Sequence, residues 1–470
     1  MVRKMIEAED LTFTYADSKE GIKNVSFEIR EGEVILLTGN SGCGKSTLLK
    51  CLNGLIPEVT EGEMNGRILV KGKDREGLKM HELNRDIGSV FQNPRSQFFT
   101  DNTTAELVFP MENYGFSKEE MDRHLKKLTE DFKLHDLLNR SVYSLSSGER
   151  QMVALASSLT MDQKVLLFDE PSANLDYGNA MKLGRLIGEL KREGMTVVVS
   201  DHRFYYLNGI IDRVFFMENG CLKVYDNEEA FKHSGYHSRS FDIFNLDIPF
   251  HEDKRSEKEV ITMEDVSYKD ILKGIRLGLR KGETTVIVGA NGAGKTTLAK
   301  LMCRSIKPDH GKIVMKGIPF FIMQDPDYQL FGTSVHNELT LVKKDEEGIK
   351  RYLEHFGLYE YRHTHPFDLS GGQKQRLQIA MAMLCDKEVI IFDEPTSGLD
   401  VSSMHKVSGE ITGLCRNAAI VVISHDYEFI RHVGDRIVYM KNGSIAEDFR
   451  LNKENLFLLD RIFHEMQEEA

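Results

Sequence analysis

"GNSGCGKSTLLK" at residues 39–50 returns as "GANGAGKTTLAK" at 289–300. Each copy follows an apolar run, "EVILLTG" (33–39) or "TTVIVGA" (284–290). The pattern G-x-x-x-x-G-K-[ST] is met by Gly39, Gly44, Lys45 and Ser46, and again by Gly289, Gly294, Lys295 and Thr296. Glycines let backbone N–H groups curl around phosphates, and the helix that follows adds the positive end of its dipole. The lysine reaches the β- and γ-phosphate oxygens, and the Ser or Thr hydroxyl binds Mg²⁺. The remaining loop residues, Asn40, Ser41, Gly42, Cys43 and Thr47, and Ala290, Asn291, Gly292, Ala293 and Thr297, are expected to line ATP. At Cys43 the backbone matters more than the thiol, which is assigned no chemistry.

The repeat continues in order along the chain. "NGRILVKG" (65–72) returns as "HGKIVMKG" (310–317), "QNPRSQFF" (92–99) as "QDPDYQLF" (324–331), and "VLLFDEPSANLD" (165–176) as "VIIFDEPTSGLD" (389–400). The second half is shorter by about twenty residues between its phosphate loop and its glutamine. Short apolar runs bounded by polar segments read as buried parallel strands, so the fold class is α/β twice over. Asp169 and Asp393 close such strands, where a carboxylate suits Mg²⁺, and Glu170 and Glu394 beside them are placed to orient and polarise an attacking water. "HSGYHSRSFDIFNLDIPFHEDKRSEKE" (233–259) has no sustained period and ends in a charge run. It reads as a solvated linker in which a brief "FDIFNLDIPF" segment could pack against either domain, giving a first domain over 1–235, a linker over 236–258 and a second domain over 259–470.

Composition narrows the setting. A chain of 470 residues has room for two cores, and its net charge of −12 lacks the basic stripe of a nucleic-acid binder. Six cysteines form no Cys-x-x-Cys pair and point to reduced thiols with no disulfide partner. The N-terminal stretch lacks the apolar core of a signal peptide, and no apolar run approaches the roughly 20 residues needed to span a bilayer. A cytoplasmic protein is expected, with any membrane role supplied by a partner.

"LSSGERQ" (145–151) and "LSGGQKQR" (369–376) have capping-box spacing, Ser146 with Glu149 and Ser370 with Gln373, ahead of apolar periodic helices. Together with the phosphate loops and the strand-end carboxylates, they resemble the signature of ABC-type ATPases over both halves. The resemblance implies two tandem P-loop (RecA-like) nucleotide-binding domains, each with a small antiparallel β-subdomain and an α-helical signature subdomain. The β-subdomain of the second half would be shortened. It also implies a head-to-tail sandwich, with ATP on Lys45 capped by Ser370 and Gly372 and ATP on Lys295 capped by Ser146 and Gly148. Tyr15 and Tyr268 would stack on adenine, His202 and His425 would sense the γ-phosphate, and Gln92 and Gln324 would reach Mg²⁺ and the attacking water. Both composite sites are expected to hydrolyse ATP. Ser147 stands where the family usually has glycine, so its side chain would crowd the phosphate on Lys295.

The glutamine stretches carry a second resemblance. Their pattern Q-[DN]-P-x-x-Q-[LF]-F is similar to that of the paired ATPases of energy-coupling-factor transporters. This implies that Gln97, Phe98 and Phe99, and Gln329, Leu330 and Phe331, dock on a membrane partner, each apolar pair lying exposed beneath its coupling helices. The protein would then lie on the inner face of the cell membrane, driving an integral scaffold protein and a small substrate-capture protein that takes a vitamin or a transition-metal ion. The alternatives are the fused ATPase of a sugar importer and a soluble twin ATPase acting on ribosomes or nucleic acid.

Overall fold

The computed structural model describes residues 3–16, 20–91, 97–145, 147–161, 163–235, 241–252 and 255–469. The chain divides into two compact units, one of Met1–Leu175 with Asn179–Asp242 and the other of Asp176–Gly178 with Ile243–Ala470.

The first unit opens with β1 (Lys4–Tyr15), β2 (Gly21–Arg30), β3 (Val34–Gly39), β4 (Gly62–Val70) and β5 (Lys73–Asp74). The remaining strands are β6 (Ile87–Val90), β7 (Val165–Asp169), β8 (Thr196–Ser200), β9 (Arg213–Glu218) and β10 (Cys221–Tyr225). An antiparallel sheet runs β2-β1-β4-β5, and a six-stranded sheet runs β10-β9-β3-β8-β7-β6. In the larger sheet every pairing is parallel except β9 with β10. β3 reads as a continuous apolar run because both of its faces are covered. Ile35 and Leu37 join the core shared with Phe13, Leu48 and Phe215, while Val34 and Leu36 join the core of Val153, Phe168 and Ile187. That alternation follows from the period of two along a strand.

The second unit holds β11 (Glu259–Tyr268), β12 (Leu272–Arg280), β13 (Thr284–Val288), β14 (His310–Met315) and β15 (Phe320–Ile322). It continues with β16 (Val389–Asp393), β17 (Ala419–Ile423), β18 (Arg436–Lys441) and β19 (Ser444–Arg450). Here the antiparallel sheet has three strands, β12-β11-β14, and the large sheet runs β15-β16-β17-β13-β18-β19. The two halves are the tandem α/β domains expected from the repeat.

Within the stretch read as a solvated linker, the apolar side chains of "FDIFNLDIPF" pack, while residues 255–258 are exposed. Phe241 meets Phe204 edge-on at 4.6 Å in the first unit. In the second unit Ile243, Leu246 and Ile248 are buried, Phe244 packs on Tyr427, and Arg431 donates to the Ile248 carbonyl at 2.8 Å while its guanidinium lies over the Phe250 ring. The apolar side chains of "FDIFNLDIPF" explain the difference: their burial outweighs the polarity of their neighbours.

Candidate active sites

Each phosphate loop is shaped by glycines in backbone conformations that other residues rarely adopt. Gly39 (φ 146°) and Gly289 (φ 151°) lie so close to the next strand that a Cβ would meet the Met217 carbonyl oxygen at 2.1 Å and that of Met440 at 2.3 Å. Gly44 and Gly294, both in the left-handed region, cap the helices Lys45–Asn53 and Lys295–Met302 without a side-chain acceptor. First-turn N–H groups with no capping side chain are suited to an anion.

In the first unit Lys45 is buried, and its Nζ donates to the carbonyls of Gly39 (3.0 Å) and Asn40 (3.2 Å) and stands 3.2 Å from His202 Nε2. Ser46 Oγ donates to Asp169 Oδ1 at 3.1 Å, and His202 Nε2 lies 3.4 Å from Glu170 Oε1. Tyr15 and Thr47 share a hydroxyl hydrogen bond of 2.8 Å, which ties the expected adenine-stacking residue to the loop helix.

The second unit repeats the arrangement with differences. Lys295 Nζ donates to the carbonyls of Gly289 (2.7 Å) and Ala290 (2.9 Å), and Thr296 Oγ1 to Asp393 Oδ2 (2.9 Å). His425 Nδ1 lies 2.7 Å from Glu394 Oε1. Tyr268 is half-buried at the end of β11, with the Lys269 ammonium 5.2 Å from its ring centre. Glu170 (φ 47°) and Glu394 (φ 50°) both occupy the left-handed backbone region, an unusual and strained state for a non-glycine residue. The two halves share this strained backbone at the matching glutamate.

The electrostatics suit a cation. Burial, reinforced by Glu394, raises the Asp393 carboxyl to about 6, against the hydrogen bond from Thr296. Asp169 is raised for the same reasons, burial first and Glu170 second. Burial also lowers the Lys295 ammonium, opposed by the nearby carboxylates. Each site thus presents a hydroxyl and a carboxylate within hydrogen-bonding distance, an all-oxygen set that fits Mg²⁺. When bound, that ion would neutralise phosphate charge.

The glutamine segments depart from expectation. Gln92 and Ser146 lie outside the described residues, and Gln324 is exposed just past β15. Gln97 and Gln329 do not face outward. Gln97 accepts from Phe91 N (3.1 Å) and donates to the Ser89 carbonyl (3.2 Å), and Gln329 does the same with Met323 N (3.1 Å) and the Phe321 carbonyl (2.6 Å). A primary amide carries both donor and acceptor, so it can close such a turn on the backbone. Nor are both members of each apolar pair exposed. Leu330 is 3% exposed within the helical subdomain core and Phe98 packs on its counterpart core, because there is apolar volume to fill beneath the turn. Only Phe99 and Phe331 point out, at 76% and 77% exposure.

Two residues that bear on this segment were not anticipated. Buried Glu106 accepts from Phe99 N (3.0 Å) and Thr100 N (2.9 Å), and buried Glu338 accepts from Phe331 N (2.8 Å) and Gly332 N. Glu106 and Glu338 keep the same spacing as Gln97 and Gln329, and each precedes a leucine, which was the available signal. In the second unit the signature helix Gly371–Leu384 is joined to the turn. Its N-cap Ser370 forms a capping box with Gln373, Lys374 Nζ donates to Asp327 Oδ1 (2.7 Å), and Gln378 Nε2 donates to Gln329 Oε1 (3.1 Å). Gly372 lies in the first turn of that helix, and Gly148 in the first turn of Ser147–Ser157.

Residues 22–173 and 272–397 match the family profile described as ABC transporter. A "Putative ABC transporter ATP-binding protein" of Treponema denticola is 38% identical over 95% of this chain and 97% of its own length. The "Putative HMP/thiamine import ATP-binding protein YkoD" of Bacillus subtilis is 30% identical over 95% of this chain and 91% of its own. Among solved structures, the archaeal ribosome recycling factor aABCE1, in complex with a ribosomal stalk protein, aligns with a TM-score of 0.66 at 22% identity over 96% of this chain and 92% of its own. At that identity the likeness is one of fold. The chain belongs to the ABC transporter family: it is an ATPase with two tandem ABC domains, homologous to ABC transporter ATP-binding proteins.

Proposed function

We propose that this ATPase is the fused energy-coupling subunit of a membrane importer of the energy-coupling-factor type, working on the inner face of the cell membrane. Its partners are an integral scaffold protein and a small membrane protein that captures a vitamin or a transition-metal ion. ATP with Mg²⁺ binds at two composite sites, each completed by the signature serine and glycine of the other half. Lys45 and Lys295 hold the β/γ-phosphates, Ser46 with Asp169 and Thr296 with Asp393 would hold the ion, and Glu170 and Glu394 orient the attacking water. His202 and His425 sense the γ-phosphate alongside those glutamates.

The observation that carries the reading is the pair of exposed rings, Phe99 and Phe331, each held by its backbone N–H on a buried glutamate. Large exposed aromatics on rigidly anchored backbone suit a docking surface. A turn that shares hydrogen bonds with the signature helix would transmit closure to whatever sits on it. The Bacillus subtilis relative is named as a putative HMP/thiamine import ATP-binding protein, which supports the same reading. Among the described residues no helix is long and apolar enough to cross a membrane, so the membrane-spanning component is assigned to the partner.

The test is capture of the tagged full chain from its native membranes in mild detergent, with mass spectrometry of what remains bound. Recovery of an integral scaffold with a small hydrophobic partner, lost when Phe99→Ala and Phe331→Ala are combined, is the expected result. Recovery of ribosomes, or of no membrane protein, would overturn it.

A further inference from the structure

In the second unit the helices Val401–Cys415 and Tyr427–Val433 bring His405, Glu428 and His432 together. One ligand-capable atom from each lies within 4.8 Å of the others, and among the described residues this is the only such grouping. Glu428 and His432 are one helical turn apart and so share a face. Glu428 Oε1 stands 3.3 Å from His405 Nε2 and 3.9 Å from His432 Nε2, and the two imidazole rings meet edge-on with centres 4.6 Å apart. The Glu428 side chain is 8% exposed.

Ordinary helix packing leaves part of this unexplained. His432 Nε2 is buried and has no hydrogen-bond partner among the described residues. Buried polar atoms are nearly always satisfied, and in the tautomer protonated at Nδ1 this nitrogen turns its lone pair toward the Glu428 carboxylate, an arrangement that a cation between them would satisfy. The fold itself does not demand the cluster either. The corresponding positions of the first half are Met181, Tyr205 and Gly209, which could not form such a ligand set.

We propose that His405, Glu428 and His432 bind a zinc-class divalent transition-metal ion, leaving a fourth position to water. Two imidazole nitrogens and one carboxylate oxygen are the donors such ions select, whereas Mg²⁺ and Ca²⁺ prefer oxygen alone. Tetrahedral ligand atoms about 2.0–2.1 Å from zinc lie about 3.3 Å from each other. The His405–Glu428 pair already stands at that spacing, while His432 has to close on Glu428 by roughly half an ångström and on His405 from a separation within 4.8 Å. The ion would clip the helix that starts two residues after His425 to its neighbour.

Equilibrium dialysis of the chelator-stripped, nucleotide-free full chain against micromolar ZnCl₂, followed by elemental analysis, tests the site. Because cysteines and other histidines can also take zinc, the readout is the difference between proteins. Wild type is expected to retain one equivalent more than His405→Ala, His432→Ala or Glu428→Gln, and zinc to raise its Tm more than theirs. His405 is the most exposed of the three, so its alanine variant reports even where His432→Ala misfolds. Equal stoichiometry in wild type and His405→Ala would overturn the proposal.

Discussion

His425 Nδ1 stands 2.7 Å from Glu394 Oε1, a contact that joins the histidine after β17 to the glutamate after β16. In the first unit the matching histidine divides itself, with Nε2 3.4 Å from Glu170 Oε1 and 3.2 Å from Lys45 Nζ. We propose that His425 senses the γ-phosphate together with the glutamate that holds it. His425→Ala and Glu394→Gln are therefore expected to lower steady-state kcat to the same floor, each removing about 10²–10⁴ of the turnover at the site they serve. The double variant should sit on that floor, since groups that act as a unit are non-additive. Multiplicative losses in kcat would show that the two act separately.

Both sites retain their lysine, glutamate and histidine, so both are expected to turn over. Glu170→Gln in a Glu394→Gln chain should lower ATPase activity below that of Glu394→Gln alone. If the second substitution changes nothing, the Glu170 site is silent.

Asp393 gives a stability prediction with a definite sign. Its carboxyl is raised to about 6, first by burial and then by Glu394, so the folded state binds a proton more readily than the unfolded chain. Stability attributable to this group is therefore lost as pH rises from about 4 through about 6. At pH 7.5 the buried charge costs on the order of 1–3 kcal/mol, so Asp393→Asn should raise the Tm of the nucleotide-free protein while lowering its Mg²⁺-dependent ATPase. The Tm advantage over wild type should shrink as pH falls to 5. An advantage that does not change with pH would place its origin elsewhere.

The pair Leu330-Phe331 separates core from surface within two residues. Leu330→Ala should cost about 2–5 kcal/mol, as a buried leucine does, whereas Phe331→Ala should change stability by less than about 0.5 kcal/mol. Urea unfolding midpoints measure both. A large loss at Phe331 would mean that its ring belongs to the fold.

Glu338 holds the N–H groups of Phe331 and Gly332 from a buried position. Glu338→Ala leaves two backbone donors unmet, one of them buried, and should cost about 2 kcal/mol, while Glu338→Gln, which keeps an acceptor, should cost roughly 1 kcal/mol. Amide exchange at Phe331 and Gly332 should quicken far more in the alanine variant. Equal protection in both variants would assign the anchoring to other contacts.

Much of this protein was legible as sequence. The two phosphate loops, the strand-end carboxylates, the α/β class and the capping box of Ser370 all depend on contacts within a few residues. Glycine spacing, apolar runs and cap chemistry specify such contacts directly. Which side chains of "FDIFNLDIPF" pack was not legible, because its alternation is brief and the partners Phe204, Tyr427 and Arg431 are distant in sequence.

Sequence by itself determined that this chain is a twice-repeated ATPase, because backbone geometry around a phosphate is a local property. Tertiary structure alone decided which of two adjacent apolar residues is core and that Gln97 and Gln329 turn inward. It also decided that Glu106 and Glu338 anchor the exposed rings, and that His405 meets Glu428 and His432. Each of these depends on where a distant segment comes to rest, and burial and hydrogen-bond satisfaction are settled only when the elements pack.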